Sequence, residues 1–328
     1  MDRRAFLATL TGGLLAAPLA AEGQPAQRLY RVGHLSGSGR AAIGGWVAAF
    51  REGMTAQGHA EGRSWTFDER YAEGRFERLA PLAQELLALA PDVLLVSTTP
   101  ASLVAKQATR RVPIVMVLVA NPLGSGIVTN LRQPEANVTG VTNIVAELAG
   151  KRIEILRELL PAATRFAVIV NPGDQNTPGQ MQSAEQAAGA LGLQLGPILE
   201  VRVPADMERA FQGAVAAKAH GVIRMIDPLV FIMRQQTAAL AVQYRLPVIY
   251  PSREDVEAGG LIAYGTDIGA QFRLAATYVA KILRGAAPRD LPVEQPTKFD
   301  LIINLKAAQA LGLTIPQSLL QRADQVIE

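Results

Sequence analysis

The chain has 328 residues, 49% of them hydrophobic and 19% charged, enough apolar material for about two domains and too much for a disordered chain. Its 32 basic and 29 acidic residues leave a net charge of only +3, spread along the sequence, which gives nucleic-acid binding no support. The absence of cysteine excludes a disulfide scaffold, a thiolate zinc site, a cysteine nucleophile and a lipid attached to an N-terminal cysteine.

Residues 1–23 read as an export signal to be set aside before any fold reasoning. Arg3 and Arg4 precede a mildly apolar run, Ala5 to Ala17, which is shorter than the roughly 20 residues a membrane span needs. Small residues at Ala20, Ala21 and Gly23 suit a cleavage site just before Gln24. The paired arginines suggest the twin-arginine route, although Asp2 and Ala8 replace the hydroxyl and lysine residues usual there. Removing this segment takes away Arg3, Arg4, Asp2 and Glu22, so the net charge stays +3. No later apolar stretch reaches spanning length. The mature product is therefore expected in the periplasm, not membrane-spanning and, in our reading, a monomer.

From there, short apolar runs alternate with amphipathic segments of helix length, the pattern of βαβ units and a parallel sheet. The first series predicts strands at 31–35, 65–71, 92–97 and 113–119, with helices at 44–57, 76–90 and 101–109. Leu79, Leu82, Ala83, Leu86, Leu87 and Ala90 recur at helical spacing in the second of these. After a helix at 151–160, a second series predicts strands at 166–170, 197–201, 222–226, 247–250 and 261–264, with helices at 180–191, 207–219 and 232–244. A further helix at 268–283 and a strand at 299–304 follow. Two doubly wound half-chains fit the length better than one large sheet, so the fold class is α/β with two Rossmann-like lobes.

Three strands end in the same punctuation: Asn121-Pro122, Asn171-Pro172 and Asp227-Pro228. Proline stops the strand and turns the chain, and ligands of open α/β sheets bind at the carboxyl ends of strands. These polar side chains either cap their own turns or face a ligand. Ser97-Thr98-Thr99-Pro100 leads into a helix; it suits an N-cap and equally an anion-binding helix start. An anion site there and Asp227 on the other lobe would together suit a zwitterion. Tyr250 and Tyr264 end the last two strands of the second series, where a ring can stack on a ligand or fill the core. Ser252-Arg253-Glu254-Asp255 reads first as a capping box, with Glu254 also within reach of a cleft.

Enzyme motifs fail. Gly37-Ser38-Gly39-Arg40-Ala41-Ala42 matches a loose dinucleotide fingerprint, but Asp68 and Glu69 lie inside the second strand and not at its end. There is no phosphate-binding loop with its lysine, no Gly-x-Ser-x-Gly elbow and no His-Glu-x-x-His pair. The three histidines, His34, His59 and His220, fall in separate elements, so no metal site or cofactor is expected; His34 alone stands at a strand end.

Longer strings are more specific: Tyr71-Ala72-Glu73-Gly74, residues 137–142, residues 250–254 with 257–261, and residues 295–299 with 303–306. Through them the chain resembles the ABC transporter substrate-binding proteins, in the group that includes tryptophan- and tyrosine-binding members. The resemblance implies a type I periplasmic binding fold of two lobes and a three-stranded hinge, without catalysis. Lobe 1 would take residues 28–143 and lobe 2 residues 144–266, with 267–328 divided between them. The partners it implies are a small-molecule solute and an ABC permease with its ATPase. A sensory module that signals to a membrane receptor or kinase is the alternative. Its cleft positions fall on Ser36, Ser97, Thr98, Asn121, Thr142, Asn143, Asn171, Asn176 and Asp227, with Tyr250, Glu254 and Tyr264. Asn121 stands where many relatives carry Asp, and Gly179 follows Pro178 where many carry Glu. The resemblance alone therefore does not carry an amino-acid ligand across.

Overall fold

Val-, Ile- and Leu-rich runs suit strands buried on both faces, and parallel strands of that kind need helices on either side. The computed structural model describes residues 28–134 and 136–328; the expected signal at residues 1–23 lies outside the described residues. The first series runs β1 (Tyr30–Ser36), α1 (Arg40–Ala56), β2 (Trp65–Tyr71), α2 (Leu79–Ala88), β3 (Val93–Ser97), α3 (Thr99–Ala108), β4 (Ile114–Val119) and β5 (Val138–Thr142). The second begins α4 (Val145–Leu159), β6 (Arg165–Val170), α5 (Thr177–Ala190), β7 (Gln194–Glu200), α6 (Asp206–Ala216) and β8 (Gly221–Arg224). It continues α7 (Pro228–Ile232), α8 (Arg234–Gln243), β9 (Val248–Tyr250), α9 (Arg253–Glu257) and β10 (Ile262–Thr266). The last elements are α10 (Ile268–Leu283), β11 (Phe299–Asn304), α11 (Leu305–Ala310), α12 (Gln317–Arg322) and β12 (Gln325–Ile327).

These strands form two sheets, a five-stranded one in the order β2-β1-β3-β4-β5 and a seven-stranded one in the order β12-β11-β10-β9-β8-β6-β7. Every strand pair is parallel except β10 with β11. Alternate residues of each strand feed opposite cores. In β3, Val93 and Leu95 pack with α1 and α10, while Leu94 and Val96 pack with α2 and α3. In the second sheet, Ile223 and Met225 face α4 and α5, while Val222 and Val248 face α6 and α8.

The chain crosses between lobes three times. It leaves the first sheet after Thr142, returns after Thr266 and leaves again after Glu294. The return places α10 against α1 and the first sheet, where Phe272 is fully buried. Removing a ring from such a position costs ~3–5 kcal/mol. Glu294 pairs with the edge of the first sheet, its N–H to Gly140 O at 3.0 Å and its carbonyl to Thr142 N at 2.9 Å, before β11 joins the second. Gly140 is required at that edge: a Cβ there would lie 2.1 Å from the Met116 carbonyl oxygen.

The elements differ from the sequence reading in several places. Residues 232–244, predicted as part of one helix, contain a break at Met233, because Asp227 caps a separate short helix, α7, through Val230 N at 2.8 Å. The short β5 and β12 escape the apolar-run pattern, and β8 ends at Arg224, two residues before the predicted end.

Candidate functional site

The strand-to-helix turns of both lobes face each other across one cavity between the lobes. Lobe 1 contributes Ser38 after β1, Trp46 from α1, Thr98, Thr99 and Pro100 between β3 and α3, Leu118 and Ala120 at the end of β4, and Ile268 of α10. Lobe 2 contributes Asp174 and Asn176 before α5, Ile226, Asp227, Pro228 and Phe231 around α7, and Ser252 before α9. Asn143, from the first crossing, completes the wall.

The lobe 1 face is shaped by unusual backbone. Thr98 has φ 90° and ψ 152°, a region nearly confined to glycine, and Leu118 has φ 58°. The Leu118 excursion falls where the β4–β5 register shifts between Met116 and Val119. Thr98 stands at the N-cap position of α3, yet its side chain makes no cap hydrogen bond; its N–H bonds Val117 O at 3.0 Å and its Oγ1 is buried without a partner. Capping does not account for this hydroxyl. It stands in the cavity wall beside the start of α3, where free N–H groups favour an anion. Thr99 Oγ1 is engaged, accepting from Ala120 N at 3.2 Å.

The lobe 2 face carries the charge. Asp227 accepts from Val230 N through Oδ1 and from Asn171 Nδ2 through Oδ2 at 3.1 Å, so it caps α7 and still lines the cavity. Asp174 accepts from Asn176 N at 2.8 Å through Oδ1, while its Oδ2 is buried without a donor. Burial raises the pKa of both carboxyls, and the charge of Asp227 pushes Asp174 well above the ordinary carboxylate value. The pair thus favours holding one proton or meeting a cation. Gln180, itself buried, fixes the loop from behind: its amide donates to Ile226 O at 3.0 Å and accepts from Ile226 N at 2.9 Å.

Trp46 joins the lobes. Its ring stacks on Phe231 of lobe 2 at 4.7 Å and lies 6.1 Å from Phe272 of α10, and its indole N–H donates to the Glu254 carboxylate of lobe 2. Burial raises the pKa of Glu254. Gly74 of lobe 1 also abuts Leu229 of lobe 2. The lobes are closed on each other.

Of the residues expected at the cleft, the cavity brings together Thr98, Asn143, Asn176 and Asp227. Asn171 lies behind Asp227, which it holds, with its own Oδ1 accepting from Gly173 N at 2.9 Å. Ser36 and Ser97 are fully buried beneath the wall. Ser36 Oγ accepts from Ser38 N at 3.1 Å, and Ser97 Oγ meets His34 Nε2 at 3.1 Å. Burial holds His34 neutral, its pKa depressed to about 3. Thr142 Oγ1 donates to Val119 O at 2.6 Å inside the sheet. Asn121 is exposed, and its Oδ1 accepts from Gly124 N at 2.8 Å in its own turn. It lines a neighbouring hollow together with Gly179.

Tyr250 does not stand at a rim: its ring and hydroxyl are fully buried in lobe 2. Tyr264 packs against Phe299 and the core of that lobe. Glu254 stands outside the cavity wall, on the contact with Trp46. The capping box is replaced by a side-chain bond, Ser252 Oγ to Asp255 Oδ2 at 2.7 Å. Trp46, Phe231 and Asp174 escaped the sequence reading. An aromatic side chain in these stretches carries no sequence sign of a cleft, but Asp174 was legible as the next acid after the Asn171-Pro172 strand end. Among the described residues, no group of three His, Asp or Glu side chains is placed to hold a metal, and no helix is long and apolar enough to cross a membrane.

Two doubly wound lobes, three crossings and a cavity between the lobes define the type I periplasmic binding architecture. Residues 35–327 match the family described as ABC transporter substrate binding protein, and the chain belongs to it. A tyrosine-binding protein of Clostridioides difficile strain R20291 is 23% identical over 266 residues, covering 80% of this chain and 75% of the relative. The crystal structure of a conserved domain protein from Vibrio cholerae matches with 30% identity and a TM-score of 0.85, over 91% of this chain and all of that one. An ABC domain from Streptococcus pneumoniae in complex with L-Trp matches with 24% identity and a TM-score of 0.84, with the same coverage.

Proposed function

We propose that this chain is an exported receptor that captures a small amine-bearing solute, an amino acid or a close relative, and delivers it to an ABC importer permease and its ATPase without catalysing a reaction. Residues 1–23 direct export by the twin-arginine route, and the mature monomer works in the periplasm. The observation that carries the solute class is a set of three buried polar atoms without partners in one cavity wall: Thr98 Oγ1, Asn143 Oδ1 and Asp174 Oδ2. Two of the three, Asn143 Oδ1 and Asp174 Oδ2, are acceptors, Asp174 lies against the second carboxylate, Asp227, and this acceptor-rich wall suits an ammonium group. Trp46 and Phe231 offer aromatic surface to the rest of the molecule, and the start of α3 with Thr98 suits a carboxylate. The ligands named for the relatives, tyrosine and L-Trp, agree with that chemistry. Closure of the lobes on solute gives the permease its signal, a hinge-bending population shift.

The test is a thermal-shift panel on mature protein, unfolded and refolded to strip co-purified solute, against amino acids, amines, polyols and organic acids. Amine-bearing compounds raise Tm. If no compound does, or if only polyols do, this solute class is wrong. Export unchanged after replacing Arg3 and Arg4 by Lys removes the twin-arginine route.

A further inference from the structure

Lobe 2 holds a second concentration of charge, sealed behind the cavity wall. Arg152 on α4 and Arg224 at the end of β8 are both fully buried. Arg224 Nη2 is paired with Asp255 Oδ2, which also accepts from Ser252 Oγ at 2.7 Å. Arg152 Nε donates to the Tyr264 carbonyl oxygen at 2.9 Å. The other donors, Arg152 Nη1 and Nη2 with Arg224 Nε and Nη1, find no acceptor among the described residues, and neither does the Tyr250 hydroxyl. Tyr250 lies against Arg224, the guanidinium carbon 5.5 Å from the ring centroid.

The charges do not balance. Asp255 is the one carboxylate paired with these two guanidiniums among the described residues, which leaves one positive charge in excess. Tyr250 supplies no negative charge, because burial raises its pKa further above neutrality. Deprotonating Arg152 does not solve it either. Burial, and then the charge of Arg224, lower its pKa to about 9, which still leaves it charged at neutral pH. Asp255 Oδ1 is also unpartnered and can take one of the spare donors, but doing so leaves the charge count unchanged. A water molecule supplies acceptors and no charge, whereas an unpaired buried cation is among the costliest groups to retain.

We infer that the unpaired donors of Arg152 and Arg224 hold a small monovalent anion of about chloride size within lobe 2, beneath Ser252 in the cavity wall. The excess of one charge sets its valence. Its small size follows from burial, since none of Arg152, Arg224 and Tyr250 reaches the cavity surface. The site is independent of which solute the cavity takes.

Crystals of the mature protein grown in sodium bromide test this. The expected result is an anomalous bromide peak within hydrogen-bond reach of Arg152 and Arg224. In solution, chloride replacing gluconate at constant ionic strength raises Tm saturably, by ~2–5 °C. Arg152→Met removes both the peak and the chloride response. Density that is water alone at this position, with a Tm indifferent to chloride, overturns the inference. So does a chloride response that persists unchanged in folded Arg152→Met protein. Should that variant fail to fold, the bromide map of the natural sequence decides by itself.

Discussion

The two faces of the cavity are built by the same device, a strand end turning into a helix, but they are specialised differently. Lobe 1 presents hydroxyls and apolar surface on strained backbone, with Thr98 and Leu118 at positive φ. Lobe 2 presents two carboxyls on a turn that Gln180 and Asn171 hold by ordinary hydrogen bonds. Backbone strain on one face and a buried carboxyl pair on the other are both costly to keep in the fold, and the pair is relieved by a proton or by a cation. Neither lobe is a complete site, and closure through Trp46 is what joins them.

The difference can be broken from either side. The largest effect is expected from Asp227→Asn, which keeps the cap on α7 but removes the charge. Solute affinity falls ~30–100-fold by calorimetry while the circular dichroism spectrum stays the same. Unchanged affinity would return Asp227 to a turn cap only. Trp46→Ala removes the aromatic surface and the bond to Glu254, and affinity falls ~10-fold or more. Trp46→Phe keeps the stack and loses only the indole donor, so most of that affinity returns.

Asp174→Asn separates stability from binding. The raised pKa values mean that the folded solute-free protein keeps a proton which the unfolded chain releases above about pH 4. Stability of the natural protein therefore falls as the pH climbs from there through the raised values. Asp174→Asn removes that loss: its Tm exceeds the natural protein's at neutral pH, and the gap closes on acidification. A gap that is the same at pH 4 and pH 7 would show that Asp174 ionises normally. The smallest effect belongs to Thr98→Gly. Relief of the φ 90° strain, offset by the entropy of glycine, raises stability by ~1 kcal/mol, while loss of the hydroxyl weakens binding a few-fold.

The layout of strands and helices was legible because apolar runs buried on both faces, and stripes at helical spacing, encode burial directly. Which lobe receives α10 and β11 was not, since an amphipathic pattern says that a face is covered and not by what. Among site residues, Asp227 was legible because proline marks the strand end, and strand ends face the cleft. Thr98 was legible as a position but not as a conformation: its threonine side chain gives no sign of a positive φ. Trp46 was hidden for the opposite reason, since a ring on the buried stripe of a helix looks the same whether it meets the core or the other lobe. Tyr250 shows the reverse error. A strand-end aromatic suggested a rim, and alternation had already turned its side chain inward, toward Arg224.

The most direct test of the bridging account is calorimetric titration of stripped mature protein with an aromatic amino acid and with the same molecule lacking its amine, at pH 5 and pH 7. The account predicts that the amine-bearing compound binds at least ~10-fold more tightly at pH 7, and that its advantage shrinks as the pH falls, because protonation of the raised-pKa Asp174–Asp227 pair competes with the ammonium group. Equal affinities for the two compounds at both pH values would contradict it.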